Sequence, residues 1–232
     1  MDYSGIKLLS FDCYGTLVDW QKSVTDILTP FFNQFQVEFD RKEIFETFLE
    51  ADRQLESGEY MTYREILAEI VLYMADKLRI SIDPSTRYIL SDKFGEWLPF
   101  PDTVQSLKLL KKQFQLAIIS NVDDELFSIT NKLLEVEFDY VITAQQLGSY
   151  KPSKDNFKAA QDRFGLEPEQ MLHVAQSIYH DVVPANKLGW NTVWVNRYAE
   201  PERTDPLEFP DLEVPDLSSL LKIIRLESGS IS

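Results

Sequence analysis

The chain has 232 residues, enough for one large domain or for a core domain with a smaller companion. Hydrophobic residues make up 44% of it and charged residues 26%, which is typical of a globular protein and argues against a disordered chain. The 38 acidic residues outnumber the 23 basic ones and give a net charge of −15. Such a surface repels phosphate backbones, so we expect no binding to nucleic acid.

Cysteine and histidine are too scarce for structural cross-links. The single cysteine, Cys13, cannot form an internal disulfide, and two histidines cannot build a Cys/His zinc site. The first residues lack the basic segment and apolar core of a signal peptide, and the longest apolar runs, such as 70–75, are too short to span a bilayer. We therefore expect a soluble, cytoplasmic protein with no membrane partner.

A short apolar run over residues 6–11 ends at Asp12 and is typical of a buried parallel strand. Runs of the same kind recur further along the chain, separated by stretches of helical period, at 116–119, 140–142, 171–175 and 192–195. Strands that alternate with helices predict an α/β fold with a doubly wound parallel sheet. Ligands on such a sheet bind at the carboxyl ends of the strands, where Asp12, Ser120 and Ser177 follow strand-like runs.

The stretch from about Gln21 to Leu98 has a helical pattern, and no strand-like run interrupts it. Pro99-Phe100-Pro101 then resists continuation of the helix. We therefore predict an all-helical insertion at residues 19–98, between core segments 1–18 and 99–225. Residues 226–232 are mostly small and polar, and we predict a flexible tail there.

Asp12 is followed by the turn Cys13-Tyr14-Gly15-Thr16. A carboxylate at the end of a buried strand, with backbone N–H groups around it, suits a nucleophile beside an anion site. Asp12 can equally cap the turn, and the turn alone leaves these two interpretations about even.

Three more polar motifs follow strand-like runs or loops: Ser120-Asn121, Lys151-Pro152 and Ser177 to Asp181. Together with Asp12 they resemble, in order and context, the four motifs of the haloacid dehalogenase superfamily, and the resemblance covers essentially the whole core. The helical insertion lies where that superfamily has its cap domain. The resemblance implies a Rossmann-like core with a mobile cap over the active site, closing by a hinge near 18–20 and 98–101.

Two positions separate the chemistries of this superfamily. Its phosphatases have an aspartate two positions after the nucleophile and another just before the serine of motif four, where this chain has Tyr14 and Gln176. A phenol is a poor proton shuttle at neutral pH, and a neutral amide attracts a hard cation less than a carboxylate does. Magnesium-dependent phosphoryl transfer is therefore disfavoured.

The sequence from Asp12 to Leu17 instead resembles the type II L-2-haloacid dehalogenase branch, which works without a metal. There an aspartate displaces halide from a carbon next to a carboxylate, and water hydrolyses the resulting ester. The resemblance implies dehalogenation of small, anionic 2-haloalkanoic acids with no cofactor. The alternatives are a magnesium-dependent small-molecule phosphatase and a non-catalytic protein that binds a small anion or a protein. A homodimer also stays open, because cap helices in this branch often form dimers.

The resemblance assigns catalytic roles to Asp12 as nucleophile, to Lys151, which would hold Asp12 ionised, and to Asp181, which would orient Lys151 and the hydrolytic water. The remaining candidates would contact Asp12 or the substrate: Tyr14, Thr16, Ser120, Asn121, Ser177, His180 and Arg53. Turn capping is the alternative role for the two serines, and a solvated loop position is the alternative for Lys151. Arg53 is the first candidate for the halide-binding arginine of the cap, ahead of Arg64 and Arg41, although a surface ion pair is the simpler role for each.

Several residues depart from the branch or are interpreted as structural. Ile178 stands where the characterised dehalogenases have an asparagine thought to serve the hydrolytic step, and His180 is either a base or a helix cap. His173 is interpreted as a satisfied core histidine and Cys13 as a packing residue. The phenylalanines at 31, 32, 35, 45 and 48 are expected to hold the cap helices together rather than to line a pocket.

Overall fold

The computed structural model of the protein describes residues 3–37, 39–201 and 204–228. Its strands are β1 (Leu8–Phe11), β2 (Gln115–Ser120), β3 (Tyr140–Thr143), β4 (Met171–Ala175), β5 (Asn191–Val195) and β6 (Leu212–Val214). They form one parallel sheet in the order β3-β2-β1-β4-β5-β6. The strand order reverses beside β1, so the carboxyl end of β1 lies at the switch point where open α/β sheets bind ligands.

The sheet is covered by helices on both faces. The helices of the core, which come after the helical insertion in the chain, are α5 (Thr103–Leu110), α6 (Asp124–Leu134), α7 (Ala144–Leu147), α8 (Lys154–Phe164), α9 (Val183–Asn186) and α10 (Leu217–Ser228). Alternate residues of a strand point to opposite faces, so Leu8 packs with α8 and α9 while Leu9 packs with α5 and α10. The predicted doubly wound α/β sheet is confirmed. Strand β6 was not predicted, because its three residues are too short an apolar run to stand out.

Between β1 and α5, every regular element in the described residues is helical, and we call this segment the cap. Its helices are α1 (Trp20–Asn33), α2 (Arg41–Glu56), α3 (Tyr63–Lys77) and α4 (Ile89–Asp92), with 3₁₀ turns at Pro84–Tyr88 and Phe94–Glu96. Helix α2 begins at a capping box formed by Asp40 and Glu43. Its buried face then repeats at intervals of four through Ile44, Phe48 and Asp52.

The two chain crossings between cap and core lie side by side. Val18 forms an antiparallel bridge with Pro99. The backbone N–H of Asp19 donates to the carbonyl of Leu98 over 3.0 Å. These contacts fall at the predicted boundaries 18/19 and 98/99, whose role as a hinge stays a prediction.

Two further sequence predictions concern a flexible tail at residues 226–232 and the lack of a membrane-spanning segment. Helix α10 continues to Ser228, into the segment 226–232 predicted as a tail, and residues 229–232 lie outside the described residues. None of the helices in residues 3–37, 39–201 and 204–228 combines the length and the apolar character needed to cross a bilayer.

Candidate active site

Asp12 directly follows β1 and is 7% exposed. Its backbone N–H donates to the carbonyl of Val174 in the neighbouring strand over 3.1 Å. Thr16 Oγ1 donates to Oδ2 over 2.7 Å, and Lys151 Nζ donates to Oδ1 over 2.9 Å. Each carboxylate oxygen therefore has its own donor, which fixes the orientation of the group.

The turn after Asp12 is shaped by Gly15, whose φ is +98°. A Cβ at this position would lie 3.0 Å from Trp20 Nε1, so the turn requires glycine both for its backbone angle and for space. Thr16, at the other side of the turn, also accepts from the backbone N–H of Gln176 over 2.8 Å, which ties the turn to β4. Cys13 is fully buried, which confirms its role in packing, and burial raises the pKa of its thiol well above the usual value.

Lys151 is 2% exposed, so a solvated loop position is excluded. Its ammonium group makes three hydrogen bonds, to Asp12 Oδ1 at 2.9 Å, to Asp181 Oδ1 at 2.7 Å and to the carbonyl of Ile119 at 2.9 Å. Burial opposes the charge, but the attraction of the two carboxylates outweighs it and raises the pKa of Lys151. The side chain is therefore an ammonium ion at neutral pH, with all three protons engaged.

Asp181 also forms a hydrogen bond with the buried side chain of His173. With its proton on Nε2, the imidazole donates to Asp181 Oδ1 over 2.9 Å, and its Nδ1 accepts from Ser10 Oγ over 2.9 Å. The strand register pairs Ser10 with His173, which explains this contact. The interpretation of His173 as a satisfied core histidine is confirmed, and the structure adds that its partner is the carboxylate of motif four.

The two carboxylates that share Lys151 differ in basicity. Burial alone raises the pKa of both, but Lys151 and His173 together lower the pKa of Asp181 below its usual value. Asp12 lacks the imidazole, so burial and the repulsion from Asp181 outweigh Lys151 and raise its pKa. On acidification, Asp12 is therefore the first of the two to take up a proton.

Ser120 and Asn121 have different surroundings. Ser120 lies at the end of β2 and is almost fully buried, and its Oγ has no hydrogen-bond partner among the described residues, so it does not cap the turn. Asn121 Oδ1 accepts from the backbone N–H of Lys151 over 2.7 Å, and its Nδ2 donates to the Lys151 carbonyl over 3.1 Å. Asn121 therefore fixes the loop that carries the lysine.

Ser177 begins a π-helical turn over Ile178–Val182 and accepts from the backbone N–H of His180 over 3.1 Å, as a turn cap does. The same hydroxyl lies 3.1 Å from Nδ1 of His180. Burial lowers the pKa of His180 to about 4, so its imidazole is neutral at neutral pH. Ile178 packs against Val182 and Trp194, which gives this position an apolar environment.

Tyr14 contributes its ring to the site and directs its hydroxyl elsewhere. The ring packs edge-on against Phe94 and Trp97. The hydroxyl lies 2.9 Å from Thr130 Oγ1 of α6 and forms a hydrogen bond with it. Burial raises the pKa of this phenol well above its usual value, so Tyr14 is a wall of the site rather than an acid.

These groups surround one cavity of about 310 Å³ between the core and the cap. All the predicted site residues line it except Thr16, which reaches it through Asp12. Of the three candidate arginines, Arg53 lines this cavity, whereas Arg41 pairs with Asp26 and Arg64 with Asp92. Phe45 also lines the cavity, so its assignment to cap packing alone is wrong: it stacks on Phe48 and faces the site as well.

A model of the haloacid dehalogenase-like hydrolase family matches residues 6–189. The chain belongs to this family. It is 28% identical to haloacetate dehalogenase H-2 of Moraxella sp. (strain B), over 95% of this chain and 99% of that protein. It is 26% identical to the (S)-2-haloacid dehalogenase of Pseudomonas sp. (strain YL), over 99% and 98%. These matches confirm the resemblance seen in the motifs.

Among solved structures of the family, the chain is similar to L-2-haloacid dehalogenase from Xanthobacter autotrophicus with chloropropionic acid covalently bound. The two share a TM-score of 0.78 at 22% identity, over 95% of this chain and 98% of the other. The shared fold confirms a Rossmann-like core with a helical cap.

Magnesium, which phosphatases of this superfamily use, does not fit the residues of this member. Gln176 stands where they have a carboxylate, and its Nε2 donates to Glu200 over 2.6 Å. Lys151 already neutralises Asp12 and Asp181. In the described part of the chain, no group of three or more His, Cys, Asp or Glu side chains is placed to hold a metal ion.

Among the cavity-lining residues that the sequence analysis did not single out are two carboxyl residues of α2, Asp52 and Glu56. They lie one helical turn apart. Asn121 Nδ2 donates to both carboxyl oxygens of Glu56, over 3.1 and 3.2 Å. The signal was available, because Asp52 continues the apolar repeat of Ile44 and Phe48, so a carboxyl on the buried face of α2 was visible in the spacing.

Proposed function

We propose that this hydrolase removes the halogen from small 2-haloalkanoic acids by way of an ester formed on Asp12. The observation that carries the proposal is the buried ion pair between Asp12 and Lys151, which holds an ionised carboxylate at the wall of the cavity between core and cap. The curated relatives, a haloacetate dehalogenase and an (S)-2-haloacid dehalogenase, support this reaction class.

In the first step, a carboxylate oxygen of Asp12 attacks the carbon that bears the halogen. A C–O bond forms, the C–halogen bond breaks, and the halide leaves with the bonding electron pair. The halide needs no proton to leave, so the reaction does not require a general acid at position 14, where this chain has a tyrosine. The fixed hydrogen bonds from Thr16 and Lys151 hold the nucleophile in one orientation, which lowers the entropic cost of the attack.

In the second step, water attacks the ester carbonyl, releases the 2-hydroxy acid and restores Asp12. Asp181 lines the cavity, shares Lys151 with Asp12, and is assigned to orient this water. His180 lines the same cavity as a neutral imidazole and is the nearest alternative base. Ser120, which lines the cavity at the end of β2, is assigned to the substrate carboxylate.

The halide leaves toward the cap, where Arg53 is assigned to bind it. Arg53 is the candidate arginine that lines the cavity. A guanidinium with planar donors suits a monovalent anion at the mouth of a pocket. No metal takes part in this mechanism, because Lys151 supplies the positive charge beside Asp12.

Chloride release from 2-chloropropionate tests the proposal. Wild-type enzyme is expected to release chloride equally in the presence of a chelator and of added magnesium, and Asp12→Asn is expected to release none. Asp76→Asn, which changes an exposed carboxylate of the cap, serves as the matched control. Undiminished release by Asp12→Asn would exclude Asp12 as nucleophile. Magnesium-stimulated phosphate release from an aryl phosphate, without chloride release, would instead favour the phosphatase.

A further inference from the structure

Asp52 is a buried carboxyl that the reaction described above does not use. It is 7% exposed, lies on the inner face of α2 and lines the same cavity as Asp12. Its Oδ1 has no hydrogen-bond partner anywhere in residues 3–37, 39–201 and 204–228. Because that oxygen is enclosed by protein atoms, a ligand in the cavity would bind the carboxyl group of Asp52 through its other oxygen, Oδ2.

Leaving such a group unpaired is unfavourable for folding, because burial removes its water and no protein donor replaces it. A leucine of similar size would avoid that cost on a face that already holds Ile44 and Phe48. A buried, unsatisfied carboxyl beside a reactive carboxylate is therefore better explained by a ligand than by packing.

The charges around the cavity favour a ligand that donates hydrogen bonds at this end. Two acidic residues of the cap, Asp52 and Glu56, line it, in addition to Asp12, Asp181 and Glu200 of the core. The Lys151 ammonium is fully engaged by the core carboxylates and a carbonyl, so it does not neutralise Asp52. Burial raises the pKa of both carboxyls, that of Asp52 to about 7. Above pH 7, where Asp52 is ionised, a second anionic group of a substrate would meet repulsion here, whereas a hydroxyl or N–H would find an acceptor.

The size of the site agrees with a substrate larger than a plain three-carbon acid. The cavity of about 310 Å³ is of the size that holds ligands well beyond chloropropionate. A second cavity of about 430 Å³ shares Arg53, Glu56 and His180 with it. A substituent on the haloacid chain therefore has room to extend toward α2.

We propose that Asp52 binds an O–H or N–H donor on the substrate, so that 2-haloacids carrying a hydroxyl or amino group next to the halogenated carbon are the preferred substrates. The inference rests on the proposed function, since it names the substrate class of that same site. The reacting centre is unchanged: Asp12 forms the C–O bond, the C–Cl bond breaks, chloride leaves, and water releases the dihydroxy or amino-hydroxy acid.

Two substrates of nearly equal shape isolate this contact. 2-Chloro-3-hydroxypropionate carries a hydroxyl where 2-chlorobutanoate carries a methyl group. A hydrogen bond to a charged acceptor predicts that wild-type enzyme favours the hydroxy compound in kcat/KM by about ten-fold or more. Asp52→Leu is expected to abolish this preference, Asp52→Asn to keep part of it through the amide oxygen, and Asp76→Asn to leave it unchanged.

The pH dependence gives a second readout that a purely structural role would not move. The titratable groups that interact electrostatically with Asp52 include Arg53 and Glu56 on its own helix, Tyr63 of α3, and Tyr150 of the loop after α7. Burial raises the pKa of Asp52 to about 7 and keeps both tyrosines neutral. The preference for the hydroxy substrate is therefore expected to increase as the pH rises through 7, and to be flat in Asp52→Asn.

The two proposals fail in different ways. Chloride release from both substrates with equal kcat/KM, or a preference that survives in Asp52→Leu with an unchanged melting temperature, would overturn the role of Asp52 and leave dehalogenation intact. If neither substrate releases chloride, the binding of the corresponding 2-hydroxy acids tests the role of Asp52 independently of dehalogenation. Tighter binding of glycerate than of 2-hydroxybutanoate by wild-type enzyme, lost in Asp52→Leu, would support the donor site while dehalogenation fails. Equal binding would overturn both.

Discussion

Lys151 Nζ lies 2.9 Å from Oδ1 of Asp12, and both side chains are almost wholly shielded from solvent. The two residues are far apart in the sequence and meet because the carboxyl end of β1 faces the loop that precedes α8. A buried pair of this kind is costly to break, since the partner that remains keeps its charge without compensation. Here the lysine serves two carboxylates, Asp12 and Asp181, so its removal takes the neighbouring positive charge away from both.

Lys151→Met is therefore expected to lower both activity and stability. The methionine keeps most of the volume but removes the ammonium, so the free energy of unfolding should fall by about 3–5 kcal/mol. Chloride release should fall by at least about a hundred-fold, because Asp12 becomes protonated at neutral pH. Thermal unfolding and halide assays check both effects. Lys154→Met, an exposed lysine at the start of α8, is the control, and equal behaviour of the two variants would contradict the assigned role.

The pH profile should report the raised pKa of Asp12. Asp12 attacks as a carboxylate, so kcat/KM falls when the pH drops through its pKa, and we call this part of the profile the acid limb. Because burial raises the pKa of Asp12, the acid limb is expected at a higher pH than for an ordinary aspartate. Repulsion from Asp181 contributes to the shift. Asp181→Asn removes this repulsion and should move the limb to lower pH even though kcat falls. Movement of the limb to higher pH would show that Asp181 acts mainly by holding Lys151 in place.

The sequence predicted the core of this site because the residues involved follow strands. Asp12 directly follows β1 and Ser120 ends β2, so their meeting at one edge of the sheet follows from the topology alone. The partner of His173 could not be predicted in the same way, because it depends on the turn that brings Asp181 back beneath β4. The spacing of α2 places Asp52 on its buried face, but which of its residues reach the cavity depends on how the helix rests on the core, and no local pattern specifies that.

Tyr14 offers a test of whether the site needs an acid two residues after the nucleophile. Tyr14→Phe removes the hydroxyl that is bonded to Thr130 and keeps the ring that packs against Trp97. We expect kcat to stay within a few-fold of wild type, with a loss of about 0.5–1.5 kcal/mol in stability. Chloride release measures kcat, and thermal unfolding measures the change in stability. A hundred-fold loss of kcat at unchanged KM would show that the phenol donates a proton to the leaving group.

The unpaired carboxyl of Asp52 should be visible in stability before any substrate is found. In the unfolded chain this group loses its proton near its ordinary pKa of 3.8, whereas burial holds the proton in the folded protein up to about pH 7. Over that interval the folded state binds more protons, so the contribution of Asp52 to stability becomes less favourable as the pH rises. Asp52→Asn, which does not titrate, should therefore stabilise the protein increasingly with pH, by on the order of 4 kcal/mol above pH 7.

Melting temperatures of Asp52→Asn and wild type at pH 5 and pH 8 measure this difference, with Asp76→Asn as the exposed control. The gap between Asp52→Asn and wild type should widen at the higher pH, and the control should follow wild type at both. A gap of equal size at both pH values would mean that Asp52 is ionised in the folded protein throughout, and that its unpaired oxygen finds a compensating partner. If the gap widens, the cap retains a carboxyl that weakens the fold at the pH where it would bind a donor, as expected of a group kept for binding.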